Sequence, residues 1–195
     1  LAFSNLQEKA MIGVKGGNGS AMTVQAAAPA LTGDLGIALN GANAGTVIVN
    51  STGVAGATGY TSTTINTSVG TNAITGLAGT QTSQITALDV GSALNKVTVT
   101  GDGAVRVTGN LSATVRTIDA SANKGGVNFN ITNNTGNGGA SGGVTFTGGE
   151  GNDRINFGGT LGLEDKVGGG AGRDILAVTS QVQIQPGLQV SNVEI

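Results

Sequence analysis

The stretch GGEGNDRIN (148–156), FGGTLGLEDKVG (157–168) and GGAGRDILA (169–177) decides how this chain is read. Its first and last segments both fit the nine-residue pattern G-G-x-G-x-D-x-U-x, in which a glycine-rich turn takes Ca²⁺ and the apolar U position points into a parallel β-roll. Ca²⁺ is a hard cation that takes six to eight oxygen ligands, so a turn offering bare carbonyls and one carboxylate is half a site. Glycine at three of the first four places permits positive φ and lets carbonyl oxygens converge without Cβ clashes. Asp153 and Asp174 bring the charge. Two nonapeptides make one coil of about 18 residues, and facing loops should recur at that interval. Gly148 and Gly169 lie 21 positions apart, so the middle segment reads as a degenerate opposite half-turn whose extra residues are taken up by Gly158-Gly159 and Asp165.

Charge supports a cation. Five of the eleven acidic residues (Glu150, Asp153, Glu164, Asp165 and Asp174) fall within 25 positions, while the rest of the chain is nearly uncharged. Carboxylates clustered among glycines invite a metal ion, and Asp165 therefore joins Asp153 and Asp174 as a candidate ligand. Plain turns would also use Gly and Asp. They would not require two complete nonapeptides at coil spacing.

Composition bounds the rest. The 195 residues include 36 Gly but no Trp, one Tyr and four Phe, which suits a narrow interior of stacked Val, Ile, Leu, Ala and Thr, as in a β-solenoid. A net charge of −2 with scattered Lys and Arg offers no basic face for nucleic acid. The chain lacks Cys, so disulfides cannot stabilise it; hydrogen-bonded ladders and metal must. No apolar run reaches membrane-spanning length, and no signal-peptide pattern follows Leu1. The expectation is a soluble, excised segment of a longer polypeptide, ending at Val193-Glu194-Ile195 inside a strand.

Period-two alternation between turn residues marks strands at Val47–Val49, Val97–Val99, Val105–Val107, Val127–Ile131, Val144–Phe146, Ile155–Phe157 and Val182–Ile184. Helical periodicity is confined to Phe3–Met11, read as a short helix or a ragged end. The irregular strand spacing, about 8 to 20 residues, predicts a ladder with loops of varying length. The fold expected is all-β, a parallel β-helix or β-solenoid with a calcium-binding β-roll segment near the C-terminus. Residues 1–140 form its Thr/Asn/Gly-rich part, and 141–195 the roll and closing coils, with Pro186-Gly187 as a turn in the tail.

GGEGNDRIN and GGAGRDILA resemble the RTX, or hemolysin-type calcium-binding, repeats of proteins exported by type I secretion. VTVTGDGAVRVTGN (97–110), TIDASANKGGV (117–127), FTGGEGNDRI (146–155) and VSNVEI (190–195) are similar in style to Gram-negative surface-layer proteins and large secreted adhesins. The resemblance implies a right-handed roll that folds outside the cell on meeting Ca²⁺. It implies that Asp153 and Asp174, with carbonyls of Gly149, Gly151, Gly170 and Gly172, are ligands. Only two clean repeats occur, not in strict tandem, which favours one good site over a row.

Other classes fit less well. Without His or Cys, histidine acid–base, thiol and histidine-ligated metal chemistry are unavailable within this chain. A carboxylate pair could serve glycoside chemistry, but Asp102 reads as a turn residue in Gly101-Asp102-Gly103 and Asp119 as a backbone hydrogen-bonding group. Thr61–Thr64 and Thr98–Thr100 lack the regular ladder of an ice-binding face and read as solvent-facing strand residues. The glycines precede no helix of nucleotide-binding type. The expectation is a non-enzymatic, calcium-binding structural segment of a secreted cell-surface protein. Its partners would be other copies in a lattice or neighbouring domains, with a surface polysaccharide as a further candidate. The alternative is a spacer module of a secreted adhesin or carbohydrate-active enzyme.

Overall fold

The structure, a computed structural model, describes residues 2–6, 9–15, 22–26, 33–41, 43–49, 59–69, 82–90, 92–134, 142–179 and 186–194. Short Val-, Ile- and Thr-rich segments between Gly and Asn turns pair as strands because their branched side chains suit a pleated, half-buried surface. In chain order they are β1 (Ala2–Leu6), β2 (Met11–Lys15), β3 (Met22–Ala26), β4 (Asp34–Asn40), β5 (Asn43–Val49), β6 (Ser62–Ser68), β7 (Ser83–Asp89) and β8 (Lys96–Gly101). There follow β9 (Val105–Asn110), β10 (Thr117–Asn123), β11 (Val127–Asn130), β12 (Thr145–Thr147), β13 (Arg154–Gly158), β14 (Lys166–Gly168), β15 (Ile175–Val178) and β16 (Gln189–Ser191). Odd strands form one eight-stranded sheet and even strands the other, each in sequence order. Neighbours pair in parallel, as in β8 with β10 and β13 with β15. The chain is thus an all-β solenoid in which every coil contributes one strand to each of two facing sheets.

Alternation fills the gap between the sheets. One column runs Leu35, Thr63, Val97, Ile118, Phe146, Val167 and Val190 on successive even strands; another joins Phe129, Ile155 and Leu176. Among the described side chains the scarce rings are spent inside: Tyr60, Phe129, Phe146 and Phe157 are fully buried, each contributing roughly 2–3 kcal/mol relative to exposure. Val99, Val107 and Val127 pack in the same cluster.

Two sequence expectations are corrected. Phe3–Met11 holds no helix among its described residues: Ala2–Leu6 pairs with β3 and Met11 starts β2. Tertiary pairing overrides a weak local period. Thr63 does not face solvent; it is fully buried, and its hydroxyl donates to Leu35 O at 2.8 Å. Elsewhere the strands at 47–49, 97–99, 105–107 and 155–157 lie where alternation puts them, the one expected at 127–131 ends at Asn130, and the one expected at 144–146 runs Thr145–Thr147; Pro186-Gly187 is a turn. The expected strand Val182–Ile184 and the 135–141 part of the zone boundary lie outside the described residues.

Candidate metal site

Both Gly-Asp motifs fill the same kind of connection. Gly148–Asp153 is the whole link between β12 and β13, and Gly169–Asp174 the whole link between β14 and β15. Arg154 pairs with Ile175, so the loops stack one coil apart, 21 residues along the chain. The apolar U positions, Ile155 and Leu176, point inward and are buried.

Close stacking explains the glycines. A Cβ on Gly148 would strike the Gly169 carbonyl oxygen, and one on Gly169 the carbonyl of Asn192. Gly170 and Gly172 adopt φ of 96° and 120°. Gly149 and Gly151 are not among the positive-φ residues, so the two loops differ in backbone despite their shared motif.

That difference changes what each aspartate meets. Asp153 and Asp174 are each 2% exposed. Asp153 Oδ1 accepts from Val127 N–H at 2.7 Å, one coil back, and its Oδ2 accepts from Gly149 N–H at 2.7 Å within its own loop. Asp174 Oδ1 likewise accepts from Asp153 N–H at 2.8 Å. Its Oδ2 is buried with no partner. Asp165 is buried on the opposite edge, in the link from β13 to β14, accepting from Val144 N–H at 2.7 Å and Gly162 N–H at 2.8 Å. The structure therefore brings Asp153 and Asp174 together and sets Asp165 apart.

Burial pushes the Asp153 carboxyl up to about 6, with the Asp174 charge adding to the rise, while the Gly149 and Val127 N–H groups partly offset it. The buried Asp153 carboxyl therefore favours its proton, since desolvation penalises the charged form and the nearby Asp174 charge adds to it. The only ion pair among the described residues, Lys124 with Glu150 at 3.9 Å, is exposed and does not serve them.

The Asp174 side of this edge is the part with oxygen capacity to spare. The unpartnered Oδ2 supplies a free anionic oxygen, and a carboxylate with two N–H partners, such as Asp153, keeps two lone-pair sites. The interval between the two loops is already bridged: Ala171 N–H donates to Gly149 O at 2.8 Å, and Arg173 N–H to Asn152 Oδ1 at 2.8 Å. Gly149, Gly151, Gly170 and Gly172 thus act first as contact points between loops. Among the described residues no three carboxylates converge, so an ion would draw most of its six to eight oxygens from carbonyls and water.

One buried polar group escaped sequence reading. Asn123 Nδ2 lies within 3.0 to 3.1 Å of Thr67 Oγ1, Gly101 O and Gly103 O, and Asn123 Oδ1 accepts from Gly126 N–H at 2.7 Å. It latches its turn to earlier coils as the aspartates do; its signal was the Asn-Lys-Gly-Gly turn itself. Asp119 accepts from Ser121 N–H and hydroxyl, the latter first in holding it below the usual carboxylate range. Asp102 is an exposed turn residue. No family model, curated protein or solved structure matches the chain.

Proposed function

We propose that the chain is a structural, non-catalytic segment of a secreted cell-surface protein, whose solenoid is made rigid by Ca²⁺ bound at the Gly-Asp edge. The observation that carries this reading is the buried, unpartnered Asp174 Oδ2 one coil above the desolvated Asp153 carboxylate. A cation there relieves both the missing hydrogen bond and the repulsion. Two stacked glycine loops supply a backbone able to approach it, and the low charge elsewhere leaves this edge as the main concentration of acid. Assembly into a surface lattice is the role that such a rigid rod would serve; the resemblance of the motifs to surface-layer proteins supports it.

Thermal unfolding with and without chelator tests the reading. Ca²⁺ at 100 times its Kd should stabilise by about 2.7 kcal/mol, and Mg²⁺ should substitute poorly because it demands tight octahedral geometry and sheds water reluctantly. An unchanged unfolding curve together with no calorimetric Ca²⁺ binding would overturn it.

A further inference from the structure

The outer face of the odd-numbered sheet carries a second site with different chemistry. Alternation points Val105, Val107, Val127, Phe129, Ile155 and Phe157 inward, which leaves two outward columns. The first runs Gln84, Arg106, Asn128 and Arg154 in direct register. The second runs Asn110, Asn130 and Asn156.

The second column satisfies itself. Asn156 Nδ2 donates to Asn130 Oδ1 at 3.1 Å, and Asn130 Nδ2 to Thr108 O at 3.0 Å. The first column does not: among the described residues its sole side-chain bond is a long one, Arg154 Nη1 to Asn128 Oδ1 at 3.5 Å. Among the described residues no carboxylate pairs with Arg106 or Arg154. Outward positions of β9, β11, β13 and β15 contain no acid at all. These unspent donors line a groove of about 450 Å³, walled by Thr82 and Gln84 at one end and by Asn152 of the first Gly-Asp loop at the other. Gly125 and Gly126 form part of the wall.

The geometry points to this groove as a binding site for an acidic polysaccharide, held along the solenoid axis with sugar carboxylates on Arg106 and Arg154. Parallel strands lie about 4.8 Å apart, so the backbones of Arg106 and Arg154, two rungs apart, are separated by about 9.5 Å along the axis. That is comparable to the spacing of carboxylates on alternate sugars of an extended uronic-acid chain. A planar guanidinium binds a carboxylate through paired N–H donors. Asn128 between them, with Gln84 and Asn152 at the ends, offers donors and acceptors for hydroxyls. The groove has no aromatic side chain, so a neutral glycan would lack a stacking platform, and charge selects the ligand. The site shares no carboxylate with the calcium edge, and the two readings stand or fall separately.

The test is calorimetric titration of the whole chain with a galacturonic-acid hexasaccharide in chelator, with maltohexaose, inorganic sulfate and a hexanucleotide of single-stranded DNA as comparators. The uronate should bind, weaken as salt rises, and lose roughly tenfold or more with Arg106→Gln or Arg154→Gln, the loss expected when one charge-assisted contact goes. Hydrogen exchange at Val127 and Ile155, unchanged in both variants, would show that the coils remain in place. No uronate binding, equal binding of maltohexaose or of the hexanucleotide, sulfate affinity matching that of the hexasaccharide, or variants that bind like the parent would each overturn the proposal. Loss of Ca²⁺ binding with uronate binding retained would sink only the calcium reading.

Discussion

Asp174→Asn separates a calcium ligand from a mere hydrogen-bond acceptor. The substitution keeps Oδ1, which receives the Asp153 N–H, and replaces the buried Oδ2 that has no partner. In chelator the parent holds an unpaired anionic oxygen, a defect costing about 1–3 kcal/mol, beside a carboxylate that it repels. A neutral amide, even if unpaired, is cheaper to bury than a charge. The variant should therefore be more stable than the parent without Ca²⁺, by about 1–2 kcal/mol, or about 3–6 °C in Tm for a chain of this size. In Ca²⁺ at 100 times Kd the parent gains about 2.7 kcal/mol and the variant gains little, so the order reverses. Differential scanning calorimetry in both buffers, with hydrogen exchange at the amides of 169–174, reads the crossing. A variant less stable than the parent in both buffers would refute the argument, for Asp174 would then serve the ladder alone.

Three further outcomes follow from the geometry. Because the folded pKa of Asp153, about 6, exceeds the ordinary 3.8, its contribution is fully present below about pH 4 and is lost as pH rises through 6. Urea midpoints in chelator should show a fall of about 3 kcal/mol over that window, abolished in Asp153→Asn. Gly148→Ala should cost on the order of 2–4 kcal/mol, since its Cβ meets the Gly169 carbonyl, whereas Gly13→Ala on β2, with nothing within 4 Å, should be neutral or stabilise by about 0.5–1 kcal/mol in chemical denaturation. Asn123→Ala should lose about 1–3 kcal/mol by stranding the buried Gly126 N–H, visible as faster exchange at Gly126.

Where a strand carries Val at alternate positions, as in β8 and β9, its period of two was plain in the sequence and so was its buried face. The stacking of the Gly-Asp loops was legible too, because 21 residues nearly match a two-nonapeptide coil and Ile155 and Leu176 mark the inward positions. Strands of three residues such as β14 are too short to show a period. At Phe3–Met11 the apolar residues Phe3, Leu6 and Ala10 imitate a helical face, and only pairing with β3 and β4 decides otherwise. The latches of Asp153, Asp165 and Asp174 were hidden for a different reason. Their donors lie 21 to 26 residues back, and loops of unequal length erase any fixed interval that would reveal them.

Those latches share a direction. Asp153 closes on Val127, Asp165 on Val144 and Asp174 on Asp153, each reaching toward the N-terminus, and Asn123 does the same toward Gly101 and Gly103. These four side chains fasten their coils to ones already laid down, whereas Asn66, Thr67 and Asn152 reach forward to a later coil. Stacking in such a rod is a nearest-neighbour affair, so the shared direction of the three aspartate latches gives the Gly-Asp coils a mechanical polarity. Tension on the C-terminal end meets the fasteners singly and peels the rod coil by coil, while the N-terminal remainder keeps all of its own.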